Sequence, residues 1–143
     1  MDHLQGVHVL TQHEQTALEA DCLDALAAVR SGLIDLYAAL AIDPSEPLEV
    51  SRRLGVNKNL TWKLSKIISA DDGFSAIAHI PGSSGWEIFF AAASRHVAAD
   101  PAIARVRAAL ERFDGVMTLH AGDRPHLELI LDLGVWWKIK TGL

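Results

Sequence analysis

Cysteine occurs once in this chain, at Cys22, so no internal disulfide can form. No apolar run is long enough to cross a bilayer. The opening residues MDHLQGVHVL lack the basic, then apolar, then small-residue order of a secretory leader. Together these absences make a cytoplasmic protein with no membrane partner the expectation. Fixed-period repeats and low-complexity segments are also missing, which argues against a solenoid or a disordered tail. The last absence is local. Between Val50 and Ala70 there is no aspartate or glutamate, while Arg52, Arg53, Lys58, Lys63 and Lys66 all fall there. The whole chain carries a formal charge of −5, so eight basic against eighteen acidic residues, a balance of −10, remain elsewhere. A positive segment on a negative body suits a polyanionic partner and discourages binding of that partner by any other face.

What is present is enough apolar material for one core: half of the 143 residues are hydrophobic and the charged fraction is ordinary. Their spacing is helical. Thr11 with Glu14, or Thr16 with Glu19, has capping-box spacing and predicts a helix start. From Leu18, residues Cys22, Val29, Leu33, Leu36 and Leu40 recur on one 3.6-residue stripe, with Ser31-Gly32 as the point where one long helix could divide in two before ending near Ile42. DPSEP (43–47) reads as a turn, with proline tolerated in the first turn of the next helix. That helix runs to about Leu54, Gly55 breaks it, and Asn57 caps another that reaches about Ser69. Trp86, Phe89, Phe90 and Ala93 then follow helical spacing. Asp100-Pro101 reads as N-cap plus first helical residue, opening a helix with Ile103, Val106, Leu110 and Phe113 inward. Asp123 and Pro125 open a last one, with Leu127, Ile130 and Leu131 inward and Gly134 placed to end it. HIPGSSGW (79–86) reads as a tight connection. The predicted class is all-α; the alternative is a small β-wing over 74–90.

The acid-free segment has a further order. Winding residues 56–69 at about 100° per residue puts Val56, Leu64 and Ile67 within about 40° of Leu60, and Ile68 about 80° away. Lys58, Trp62, Ser65, Lys66 and Ser69 fall opposite, with Asn59 to one side and Lys63 at the rim. The stretch resembles the helix-turn-helix of bacterial transcriptional regulators. Val50, Ser51, Leu54, Gly55, Val56, Thr61 and Leu64 match the apolar, small and glycine positions of that motif, over about a fifth of the chain. Two positions depart from it: Ser51 stands where alanine is usual, and Thr61 where a larger aliphatic is usual, so looser packing of the two helices is expected.

The resemblance implies DNA-facing roles for Asn57, Lys58, Asn59, Trp62, Lys63 and Lys66. Arg52, Arg53 and Lys63 would sit on phosphates, which gives affinity without sequence information. Lys58, Asn59 and Lys66 would read base edges in the major groove. Asn57 is expected chiefly to cap the helix. Trp62, one turn from Lys58 and from Lys66, would touch a thymine methyl or a sugar with cation–π support, or else pack beneath a neighbouring helix or subunit.

Other constellations carry less. His3, His8 and His13 recur every five residues, which turns them away from one another on a helix, so no metal site is expected. Cys22 lies on the apolar stripe and reads as a buried, inert thiol. His120, Asp123 and His126 are the only candidate for enzyme chemistry, and surface-loop residues are the simpler reading. PGSSG lacks the Gly-Lys-Ser/Thr of a phosphate loop. VWWKIKTGL (135–143) ends the chain on exposed-type aromatics, which suggests a fragment or a divergent end. The expectation is therefore a non-enzymatic, cofactor-free regulator of two parts. Residues 1–70 hold an N-terminal helix and a helix-turn-helix for double-stranded DNA. Residues 71–143 form a helical region for homodimerisation or for sensing a small-molecule effector. A protein-interaction module using the Trp62 and lysine face is the alternative.

Overall fold

The computed structural model describes residues 12–70 and 73–131, which are helical throughout apart from their connections, with no strand among them. In chain order they form α1 (Gln12–Leu40), α2 (Pro47–Leu54), α3 (Lys58–Ser69), a 3₁₀ turn (Gly73–His79), α4 (Ser83–Ala93), a second 3₁₀ turn (Val97–Ala99), α5 (Asp100–His120) and α6 (124–131). The all-α reading holds, and the β-wing does not form: 74–90 is the first 3₁₀ turn followed by α4. Thr11, His3, His8, Asp71, Asp72, Gly134 and the segment from 135 to 143 lie outside the described residues.

The stripe on α1 is continuous. Leu18, Cys22, Ala25, Leu26, Val29, Leu33, Leu36, Tyr37 and Leu40 are all buried, and the helix passes through Ser31-Gly32 without a break. Thr16 and Glu19 lie inside this helix and not at its start. At its far end Ala41 takes a left-handed conformation, φ 56°, and the Ile42 N–H donates to the Tyr37 carbonyl at 3.1 Å. This closes the helix as a Schellman turn, with Ile42 buried behind it.

Gly32 is needed for a different reason than a helix break. A Cβ at this position would stand 2.9 Å from Val106 Cγ2 and 3.4 Å from the Val106 backbone. Ion pairs fix the direction of that approach: Asp35 meets Arg105 at 3.5 Å, Asp24 meets Arg112 at 3.9 Å, and Asp21 meets His120 at 2.9 Å. As the α1 number rises the α5 number falls, so the two long helices run antiparallel. Their ionic rim is acidic on α1 and basic on α5. The two exposed Asp–Arg pairs set register more than they add stability.

α4 closes the core with an aromatic cluster. Trp86 stacks on Phe90 at 5.6 Å, Phe89 lies 5.9 Å from Tyr37 on α1, and the Arg107 guanidinium covers Phe90 at 4.5 Å while bonding Glu87 twice, at 2.6 and 3.1 Å. The helix starts at Ser83, so half of the expected 79–86 connection is its first turn. α5 departs similarly: Asp100 is its first residue and not its cap, because the Val97–Ala99 turn runs straight into it. Ile103, Val106 and Phe113 are buried as their spacing required, with Leu110 partly so. Asp123 accepts the His126 N–H at 2.9 Å and caps α6, which buries Leu127, Ile130 and Leu131. Residues from both sides of position 70 share one core.

Cys22 is fully buried in it, and loss of solvation, aided by the negative charges of Asp21 and Glu19, pushes its thiol from the ordinary 9.0 up to about 11. The raised value means that the folded state prefers the neutral thiol. Its stabilising effect is whole below about pH 9 and is lost as pH rises through about 11. Urea unfolding across that window should show a fall of about 2–3 kcal/mol from this group. At neutral pH the native thiol should resist alkylation and react only in denaturant.

Candidate nucleic-acid interface

The candidate face is built on α2, α3 and the turn between them. Pro47 opens α2, as its missing N–H allows, and Asp43 secures the preceding turn by accepting both the N–H and the hydroxyl of Ser45, at 2.9 and 2.7 Å. These bonds hold the Asp43 carboxyl below the usual range. Val50 and Leu54 are buried, and Gly55 ends the helix at φ 70° with its N–H on the Ser51 carbonyl at 2.8 Å. No atom lies within 4 Å of where a Gly55 Cβ would stand, so the left-handed backbone and not space is what asks for glycine there. Asn57 then caps α3, its side chain accepting the Asn59 N–H at 2.6 Å.

The looser packing expected from Ser51 and Thr61 is not what the structure shows. The Ser51 hydroxyl donates to the Val56 carbonyl at 2.5 Å, across the turn. Thr61 is fully buried, and its hydroxyl reaches the Pro47 carbonyl at 2.8 Å and the Lys58 carbonyl at 3.1 Å, linking α3 to the first turn of α2. Two polar side chains thus replace apolar contact with directed bonds. Thr61→Val, equal in shape but without the donor, should lower unfolding free energy by about 1 kcal/mol in urea titrations, with the helix content unchanged.

Burial of Thr61 also turns the helix. Thr61, Leu64 and Ile67 define the inward face, whereas Leu60 is only partly buried. On a wheel of about 100° per residue this places the centre of the face about 40° from Leu60, toward Thr61. Ser65 is consequently half-buried instead of outward, and Lys63 moves from the rim into the open. Lys58, Asn59, Trp62, Lys63, Lys66 and Ser69 form one exposed arc.

Two arginines from outside α2 and α3 hold this unit to the body, and neither has a local signal in the sequence. Arg30 of α1 donates to the Ile67 carbonyl at 3.2 Å and the Ala70 carbonyl at 2.7 Å, supplying a cation to the C-terminal end of α3. Arg95, after α4, donates to the Leu54 carbonyl at 2.7 Å and does the same for α2.

Trp62 is 46% exposed, on the outward arc and not beneath any of the described helices. Lys66 lies over the ring at 5.2 Å; Lys58 makes no such contact. The arginines of α2 differ from the lysines. Arg52 is ion-paired to Glu49, which lies just before the acid-free window, and Arg53 donates to the Ala41 carbonyl at 3.1 Å. Both remain exposed.

The remaining candidates do not assemble. His120 pairs with Asp21, whereas Asp123 accepts the backbone N–H of His126. No group of three or more metal-ligating side chains occurs among the described residues, and no described helix is long and apolar enough to cross a membrane. A cleft of about 310 Å³ lies between α4 and α5, floored by Trp86, Phe90, Phe113 and Met117, with Arg107 and Arg124 on its lining. The Trp86 indole N–H is buried there without a hydrogen-bond partner. Comparison with protein-family models, with curated proteins and with solved structures finds no match for this chain.

Proposed function

We propose that the chain is a sequence-specific DNA-binding transcriptional regulator in which α3 enters the major groove. The observation that supports this most is the sorting of side chains on α3: every basic residue is exposed on one arc, every fully buried residue is on the other, and no acid interrupts the twelve-residue helix. Lys63, Arg52 and Arg53 position the protein on phosphates, Lys58, Asn59 and Lys66 read base edges, and Asn57 caps the helix. Trp62 supplies an apolar contact to a sugar or a thymine methyl.

The protein acts as a homodimer in this reading, since two-fold operators are met by two-fold proteins. Trp86, Phe89, Phe90 and Phe113 are spent on the chain's own core, so a second copy would meet residues such as Ile88 and Leu119, which are exposed. A small-molecule effector would occupy the cleft between α4 and α5, whose volume and apolar floor suit one. Duplex affinity measured across a salt series tests the main claim. A steep, linear loss of log affinity with log salt is expected. The alternative, a protein-interaction module, draws on the exposed indole of Trp62, a residue type enriched at binding hot spots. It predicts no duplex binding that depends on Lys58 and Lys66.

A further inference from the structure

The exposed indole of Trp62 needs something to hold it. A side chain that keeps its rotamer freedom must lose it on contact with a partner, which reduces the affinity that the contact can add. Here two groups already restrain the ring. Lys66 lies over it at 5.2 Å, and the His79 imidazole meets it at a right angle, 89°, with ring centroids 5.2 Å apart. His79 belongs to neither motif helix. It is the last residue of the Gly73–His79 turn, and it is half-buried.

That turn is anchored firmly enough to act as a backstop. Ala76 and Ile77 are buried, the Ile80 N–H donates to the Ile77 carbonyl at 3.2 Å, and Arg124 donates to the same carbonyl from the start of α6. Just beyond, a Cβ on Gly85 would stand 3.1 Å from Pro81 and 3.5 Å from Leu60, so the beginning of α4 lies directly against α3. The turn carrying His79 is thus tied to α6, and the start of α4 that follows it lies against α3.

We propose that His79 is a positioning residue for DNA contact. It holds the Trp62 indole in one orientation, with Lys66 over its face, so that the ring meets a sugar or thymine methyl while the ammonium reaches the neighbouring base edge. This rests on the DNA-binding reading of α3, and it adds to the interface a residue from outside the helix-turn-helix segment.

A double-mutant cycle tests it, using as probe the duplex that the parent chain selects from a random-sequence library. His79→Ala should weaken binding by roughly three- to tenfold in the parent background, the scale of an aromatic pair, and by almost nothing when Trp62→Ala is already present. His79→Phe, which keeps a ring without a ring nitrogen, should bind nearly as the parent does. The proposal is overturned if His79→Ala has no effect, if it costs as much without Trp62 as with it, or if His79→Phe is as weak as alanine; the last would mean that the imidazole itself touches DNA. If alanine unfolds the turn, as circular dichroism would reveal, His79→Gln repeats the cycle with a side chain of similar reach and no ring. A parent chain that selects no duplex removes the DNA-binding reading and this role with it, whereas selection without dependence on His79 removes this role alone.

Discussion

Lys58→Ala combined with Lys66→Ala is expected to lower duplex affinity by roughly 10- to 100-fold near physiological salt, and to flatten the salt dependence by about two counterions. The two side chains stand at opposite ends of α3 on its open arc, and neither is bonded into the core. Each ammonium brought into the groove sets a positive charge beside the phosphates and displaces condensed cations even where it bonds a base edge, so removing both subtracts from the slope as well as from the affinity. Fold should be untouched: neither residue is buried, and the bonds that seat α3 come from Thr61 and Arg30. Lys66→Ala also removes the cation over Trp62, worth about 0.5–1 kcal/mol at an exposed site, so Lys66→Arg is the control that separates charge from base reading. Equal binding of parent and double variant, with equal slopes, would show that another face meets the duplex.

The second large effect concerns stability. Gly32→Leu should lower unfolding free energy by about 3 kcal/mol, whereas Gly32→Ala should cost about 1 kcal/mol. A new Cβ already falls 2.9 Å from Val106 Cγ2, and the Val106 backbone at 3.4 Å limits how far the neighbour can retreat. Alanine recovers part of that loss because it is the better helix former; leucine must push α5 away from α1 or leave its rotamer. Since α1 also carries Arg30, separation of the two helices should loosen the end of α3, visible as faster amide exchange at Ile67 to Ala70. A Gly32→Leu variant as stable as the parent would mean that the α1–α5 approach is not close in solution.

Much of the helical layout was legible beforehand, because local rules govern it. Pro47, Gly55 and Asn57 bracket α2 and α3 as their backbone preferences require, and the stripe from Leu18 to Leu40 gave the burial of α1 by periodicity alone. Where reading by local rules missed, the cause was a contact distant in sequence. Gly32 looked like a break, and it is the site of closest approach to α5. Thr61 looked like a weak core residue, and it is buried because the Pro47 carbonyl, fourteen positions away, accepts its hydroxyl. That one bond turns α3 and decides that Lys63 is open and Ser65 half-covered. The resemblance puts Arg52 and Arg53 on phosphates, and the tertiary arrangement gives each a partner within the chain as well.

By itself, then, the order of residues determined the helices, the ends of α2 and α3, the apolar stripes and the acid-free stretch, since these follow from backbone preference and a 3.6-residue period within a few turns. Only the tertiary structure decided which faces remain open and what restrains them: Arg95 on Leu54, Arg30 on Ile67 and Ala70, and His79 against Trp62. A hydrogen bond or ring contact between residues far apart in the chain depends on where whole helices cross, and no local spacing records that crossing.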